Sequence, residues 1–542
     1  MLTEPFINDT SKYKGSGYYF YDLNAKVNYQ FSDNDKLYLS GYFGKDVFSF
    51  ARPKDDFRID IPWGNATASL RWNHLFNEKL FLNTTAIYSS YNFKFNGSQD
   101  KFSFGVFSGI RDWNLKADFS YFPNLNHSIK FGVNYTYHTF IPSNVSVSQG
   151  DTDFDFGDVV QLYANEGAIY ILDDFKVNEL LKINFGLRGS IFQHIGPFTR
   201  YNKDESGNTT SIDEYNQNEV IKTYIYPEPR ITGRYILDEN SSVKMGLTHN
   251  YQYMHLVSAG GNSLPTDIWV PTTDIVNPQS ATQINLGYFR NFKDNMYETS
   301  IELYYKDLRN LVEFQDGKSN QDGIKDNIDN QLTFGKGQSY GVELFIKKNL
   351  GKLTGWIGYT LSKTDREFED LNNGEKYAAK FDRRHDLSIV TGYKLNEKWT
   401  FGAVFVYATG NSITLPYSKY FVNGQLLVDY GPRNSYRMIP YHRADISATY
   451  YLKKYKMIKD IETGEMKKQK KRFTSNWNFS IYNLYNRKNP YFIYFDNDGD
   501  FLSGTLDVNA KQVSLFTGKT IERVEIIKIS VPNKVSANLG FT

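Results

Sequence analysis

The stretch IKFGVNYTY, residues 129–137, decides the fold. Its odd positions are Ile129, Phe131, Val133, Tyr135 and Tyr137. Its even positions are Lys130, Gly132, Asn134 and Thr136, with His138 next in line. A β-strand points successive side chains to opposite faces, so this segment has one apolar and one polar face. Residues 19–31 keep the same rhythm. Tyr19, Tyr21, Leu23, Ala25, Val27, Tyr29 and Phe31 fall on one side, and Asp22, Asn24, Lys26, Asn28 and Gln30 on the other. Such runs exceed the ~5–6 residues of an ordinary strand. A long strand that is oily on one face and wet on the other suits the wall of a closed barrel, with hydrocarbon outside and water inside.

Composition narrows the field. The 542 residues carry a formal net charge of +2, which argues against nucleic acid as the main partner. Mean hydropathy is negative, and no apolar run approaches the ~20 residues of a membrane helix. Only a membrane β-barrel reconciles that with a bilayer, because polar lumen residues dilute the signal in every segment. The 42 Tyr, 41 Phe and 7 Trp make 17% of the chain, and amphipathic rings concentrate at bilayer interfaces. The absence of cysteine fits passage through an oxidising periplasm. The opening Met1-Leu2-Thr3-Glu4-Pro5 has neither the basic start nor the apolar core of an export signal.

Turn chemistry orders the strands. Short connections rich in Asn, Asp, Gly and Lys are expected at 32–35, 77–79, 123–126, 178–179, 238–241, 293–295, 351–352 and 396–398. Between them fall longer polar stretches, near 51–62, 96–103, 144–158, 199–219, 258–278, 315–330, 366–379 and 411–436. Strict alternation of short and long is the asymmetry of outer-membrane barrels, with turns in the periplasm and loops outside. It gives about nineteen strands in one domain, 1–542, with the last near 521–542. The first and last strands both run toward the periplasm. An even-stranded barrel therefore implies an odd number of strands upstream. The basic run at 453–472 breaks the rule by lengthening a short-turn connection; it reads as a solvated hairpin extension, or as a contact with anionic headgroups.

Several stretches together resemble the TonB-dependent outer-membrane receptors, of the type with a carboxypeptidase-regulatory-like domain and a plug ahead of the barrel. They are SGYYFYDLNAKVNYQFSDNDKLYLSGYFG (16–44), YPEPRITGRYILDENSSVKMGLTHNYQYMHLVS (226–258), LPTDIWVPTTDIVNPQSATQINLGYFRNF (264–292), GKGQSYGVELFIKKNLGKLTGWIGYTLSKTDREF (335–368), FDRRHDLSIVTGYKLNEKW (381–399) and NWNFSIYNLYNRKNPYFIYF (476–495). The resemblance implies an all-β transmembrane antiparallel barrel of about 22 strands, of which this chain holds about nineteen. It also implies uptake of a scarce nutrient, with outer-membrane lipids, a plug domain and the TonB complex as partners. The chain departs from the family in lacking the plug and the export signal, and in ending Gly540-Phe541-Thr542 where an aromatic residue is usual.

Candidate contacts lie on the lumen face and in the loops. In Asp382-Arg383-Arg384-His385-Asp386, alternation turns Asp382, Arg384 and Asp386 inward and His385 outward. That separation breaks the hydrogen-bond reach of a nucleophile–base relay and leaves a lumen charge network or a ligand contact. Glu343, Lys347 and Gln252 face inward, to pack a plug or line a path. Trp269 and Tyr417 stand in long loops, where aromatic rings either stack on a ligand or pack loop on loop. Asp496-Asn497-Asp498-Gly499-Asp500 lacks the spacing and terminal Glu of a calcium loop. The eight histidines form no metal-ligand pair, and no cofactor or catalytic motif is present. Two other readings remain at this stage: a passive outer-membrane pore and a soluble β-rich adhesin or glycan-binding protein.

Overall fold

The computed structural model describes residues 15–52, 56–150, 152–154, 160–204, 207–258, 267–316, 326–422, 425–452, 455–459, 466–470, 475–490, 492–498, 507–513 and 520–521. Eighteen long strands build one antiparallel sheet. They are β1 (Gly17–Gln30), β2 (Asp35–Arg52), β3 (Phe57–Asn77), β4 (Leu80–Gln99), β5 (Phe102–Asn124) and β6 (His127–Gln149). Next come β7 (Leu162–Lys176), β8 (Leu181–Ile195), β9 (Val220–Asp238), β10 (Ser241–Gln252), β11 (Gln279–Phe292) and β12 (Tyr297–Phe314). The last six are β13 (Leu332–Lys348), β14 (Leu353–Phe368), β15 (His385–Lys394), β16 (Trp399–Ala408), β17 (Tyr441–Tyr451) and β18 (Asn476–Ile481). Each pairs with the one before it, from β1–β2 through β17–β18. Among the described residues no pairing joins β18 to β1. Accordingly β1 is exposed on both faces, Leu23 and Tyr29 on one and Phe20 on the other.

Two expected long loops are not loops. Strands β2 and β3 pair up to Arg52↔Phe57, and β4 and β5 up to Gln99↔Phe102. Within the stretches near 51–62 and 96–103, residues 51–52, 57–62, 96–99 and 102–103 are therefore strand. Their polar residues sit in a ladder that stands above the membrane, where both faces meet water or loops. A 23-residue strand such as β5 runs roughly 75 Å at ~3.3 Å per residue. Some 9–11 residues suffice to cross the hydrocarbon. From residue 150 onward the alternation holds, with long connections at 150–161, 196–219, 253–278, 315–331, 369–384 and 409–440. The basic run at 453–472 contains the antiparallel pair Tyr455–Lys459 and Met466–Lys470, on the short-turn side. Beyond β18, the described strands Phe492–Asp498, Asp507–Val513 and Thr520–Ile521 form a separate sheet. The strand expected near 521–542 lies almost wholly outside the described residues, as do Gly499 and Asp500.

The outer surface explains why the sheet belongs in a bilayer. Leu115 lies opposite Tyr135, Leu187 opposite Ile171, Met245 opposite Leu286 and Leu303 opposite Val342. Most of these side chains are exposed, at 40–60% in several cases. A continuous apolar row around eighteen strands far exceeds the few hundred Å² that a water-soluble surface carries. The row has aromatic borders. On β5 it runs from Trp113 to Tyr121 and on β12 from Tyr305 to Tyr297. Eight residues at ~3.3 Å span roughly 26 Å, the height of an outer-membrane apolar band. The oily rows face outward and meet no second sheet, which overturns the soluble-protein reading.

One local break follows directly from sequence. Strand β9 pairs with β10 only from Arg230↔Thr248 downward. Above that point β9 carries Pro227 and Pro229, which have no N–H to give a neighbour. Tyr226 and Tyr251 fill the parting with rings stacked at 4.0 Å.

Candidate functional site

The long connections gather at one end of the barrel and form a mouth. The connection after β10 folds into a hairpin, Met254–Val257 paired with Ile268–Pro271. Its apolar residues enter two buried clusters. In one, Val257, Ile268 and Val270 join Phe93 on β4 with Val312, Phe314 and Leu332 on β12 and β13. In the other, Tyr253, Met254 and Trp269 pack with Phe140, Leu162, Phe192 and Tyr224, on β6 to β9. In a flat sheet β4 and β12 would stand about 38 Å apart, at ~4.8 Å per strand. A shared cluster requires that the sheet curve round and that the hairpin lie between its walls.

A buried guanidinium ties the mouth together. Arg200, on the strand Phe198–Lys203 after β8, is 2% exposed. Its Nη1 and Nη2 donate to both carboxylate oxygens of Asp329 at 2.9 Å each, and its Nε donates to Asp274 Oδ2 at 3.0 Å. Asp274 follows the hairpin, and Asp329 lies in the 3-10 turn Ile328–Gln331 before β13. Thr273 Oγ1 donates to Asp329 Oδ2 at 2.7 Å, and Asn327 Nδ2 donates to Thr199 O at 2.8 Å. Three connections are thus held by one bidentate cation, the side chain whose planar fork matches a carboxylate.

Two further knots sit beside it. Glu313 accepts from Arg366 Nη1 at 2.7 Å and from Arg433 Nη2 at 2.8 Å, joining the tops of β12 and β14 to the connection at 409–440. Burial and the adjacent Glu313 push the Tyr377 hydroxyl far above its ordinary range. Lys380 Nζ donates to Ser258 Oγ at 3.2 Å, at the far end of the hairpin, past the Val257↔Ile268 pair. Burial lowers the Lys380 amine and raises the nearby Asp267 carboxyl; the attraction between their charges opposes both shifts. His255, 1% exposed, has Nε2 at 3.0 Å from Thr272 Oγ1, and its Nδ1 finds no partner among the described residues. Burial drops its imidazole to about 4.

The TonB-dependent receptor-like β-barrel family matches residues 4–510. The chain belongs to that family. Among solved structures it is similar to the ferric-catecholate import receptor Fiu of E. coli K12, with a TM-score of 0.55 and 14% identity over 87% of this chain and 71% of that one. It is similar to the copper transporter OprC, with a TM-score of 0.60 and 12% identity over 86% and 66%. It is also similar to the iron transporter FrpB of Neisseria meningitidis, with a TM-score of 0.55 and 12% identity over 88% and 68%. At such identities the likeness shows the fold alone. No curated protein matches the sequence.

The receptor barrel does not collect the sequence-derived candidates into one site. Asp382 is buried and takes Arg437 Nη2 at 2.6 Å and the Thr364 N–H at 2.7 Å, with Arg384 Nε at 3.8 Å. It therefore holds the connection at 369–384 to that at 409–440. Asp386 stands apart, half exposed and 4.0 Å from Arg383. His385 is turned outward, its Nδ1 2.8 Å from the Tyr359 hydroxyl. Glu343 is exposed in the lumen directly across from Glu302. Lys347 reaches Glu298 at 3.5 Å near the short-turn end, far from the mouth. Gln252 donates to the carbonyl of Met254 at 2.5 Å, bracing the start of the hairpin. Trp269 packs against the second apolar cluster. Tyr417 lies on the strand Pro416–Val422, and its side chain is outside the described residues.

The residues that organise the mouth are Arg200, Asp274, Asp329, Glu313 and Arg433, and inspection of the sequence singled out none of them. Arg200 and Asp329 are 129 residues apart, and Arg433 and Glu313 are 120 apart. No local pattern marks such pairs.

Proposed function

We propose that this receptor barrel captures a scarce nutrient at its loop-lined mouth and passes it inward with a plug domain as gate and the TonB complex as energy source. The observation that carries the reading is the combination of an outward apolar belt with a mouth of six long connections at one end. Solute reaches such a mouth from outside the cell, while the belt contacts outer-membrane lipid. Relatives of this fold are named for ferric catecholate, copper and iron. The cargo class here extends over siderophore, cobalamin, glycan and peptide, since fold does not fix cargo. The reading is transport, not catalysis. Arg200, Asp274, Asp329, Glu313, Arg366 and Arg433 are held in mutual ion pairs, and His385 faces away from the neighbouring carboxylates.

The test is growth of a strain lacking only this receptor, with each class of large scarce nutrient supplied in turn as the limiting source. One source should fail to support growth, and removing TonB should reproduce that defect. Uptake that persists without TonB would overturn the energised reading and restore the passive pore.

A further inference from the structure

We propose that the hairpin Met254–Val257/Ile268–Pro271 is a fixed crossbeam that divides the outer mouth, so that solute enters beside it and never through the centre. The inference takes from the proposed function only that the mouth is the entry path. Its physical basis is separate.

Both faces of the hairpin are occupied. One side carries Val257, Ile268 and Val270, each at most 1% exposed, in a cluster with Phe93 of β4 and Val312 and Phe314 of β12. Trp63 and Tyr91, partly buried, extend that seat along β3 and β4. The other side carries Tyr253 and Trp269, set among Phe140, Phe192 and Tyr224 on the lumen face of β6 to β9. The Tyr253 and Phe192 rings stack at 5.0 Å, and Ser190 Oγ lies 2.7 Å from the Tyr253 hydroxyl. A mobile lid keeps few apolar contacts, because opening must expose them to water. This element has them on both sides.

Its base and its far end are also held. Lys380 grips Ser258 at the far end, just past the Val257↔Ile268 pair. At the base Tyr224 donates its hydroxyl to Thr273 O at 2.8 Å, and Asp274 is gripped by Arg200. An element seated on two walls and tied at both ends moves only if several buried contacts break together. The hairpin is thus a standing obstacle to solute, separate from any plug.

The chain has no cysteine, so single reporters can be placed without background. Leu256→Cys marks the exposed position of the hairpin, since Leu256 is 51% exposed. Val257→Cys and Val270→Cys mark the seated ones. Intact cells carrying the full receptor are treated with a membrane-impermeant maleimide, with no cargo present. The Leu256→Cys protein should react readily, which also reports export and folding. The seated cysteines should react at least about tenfold more slowly, because they are reached only through local opening. Adding Phe93→Asp on the opposite wall should raise the Val257→Cys rate several-fold and leave Leu256→Cys unchanged. Should Phe93→Asp reduce export, Val312→Thr serves as the gentler release. Less than tenfold protection of Val257→Cys, or protection that neither wall substitution relieves, overturns the crossbeam. Either result stands whether or not uptake depends on TonB.

Discussion

The two ends of this barrel are held by contacts of opposite range. At the short-turn end each turn is closed by its own neighbours, although adjacent turns also touch, as at Lys347–Glu298. Asn77 Oδ1 accepts from the N–H groups of Lys79 and Leu80, Asn178 Oδ1 from Leu180 and Leu181, and Asn396 Oδ1 from Lys398 and Trp399. At the mouth the partners come from different loops. Arg437 reaches Asp382 across 55 residues, Arg433 reaches Glu313 across 120, and Arg200 reaches Asp329 across 129. Turns of the first kind close as soon as their own residues meet. Knots of the second kind exist only after the wall has curved and brought the loops together. The short-turn end should therefore tolerate the loss of any one contact. The mouth should fail in blocks.

The largest effect is expected at Arg200. Replacing it with Met leaves Asp274 and Asp329 close together with no cation between them. Breaking a buried ion pair from one side costs about 3–5 kcal/mol. The loss should appear as protease cleavage within 196–219 and 315–331, while the heat-resistant compact form of the barrel in detergent persists. Adding Asp329→Asn should restore part of the protection, since one unpaired charge is then removed. Equal loss of mouth and barrel would show that the two ends are not independent.

A second break is set by pH. His255 is held neutral by burial, with its imidazole lowered to about 4, whereas the unfolded side chain titrates near ~6.5. The unfolded hairpin therefore binds more protons in between. Stability conferred by the neutral ring is complete above about pH 6.5 and falls as pH drops toward about 4, by about 3 kcal/mol in all. The ratio of Val257→Cys to Leu256→Cys reactivity should rise through that window, the exposed thiol cancelling the fall in thiolate as pH drops. A His255→Leu variant should flatten the rise; an unchanged rise would assign it to other groups.

Asp382 comes next, and it shows the reach of strand alternation. Alternation put Asp382 and Arg384 on one side and His385 on the other, but Asp382 and Arg384 belong to the connection at 369–384 and only His385 opens β15. What alternation could not supply is the partner, Arg437, which arrives on another loop. The same limit explains Trp269, whose loop position was legible and whose packing against Phe192 and Tyr253 was not. It explains the two misjudged loops too. Polar residues near 51–62 and 96–103 read as loop because a strand above the membrane no longer needs an oily face. The belt, by contrast, was legible throughout, because lipid imposes one parity on every strand it touches. Asp382→Asn keeps the shape, and the Asn amide oxygen still accepts from Thr364. It removes the charge that Arg437 and Arg384 share, at an expected cost of about 1.5–3 kcal/mol. The outcome to measure is cleavage at 369–384 and 409–440, with 196–219 still protected.

The smallest effects belong to the short-turn end. Asn178→Ala strips two turn N–H groups of their acceptor, but both are exposed and water replaces the amide oxygen. The expected loss is about 0.5–1.5 kcal/mol, confined to that hairpin. Lys347 and Glu298 go further in the same direction. They stand 3.5 Å apart and are each about 40% exposed, so solvent screens their attraction. Lys347→Ala should change thermal stability by no more than about 0.5 kcal/mol and leave all mouth reporters untouched. A loss near that of Arg200→Met would mean that Lys347 has a further, buried partner on the lumen side, and that this end too is held by more than its turns.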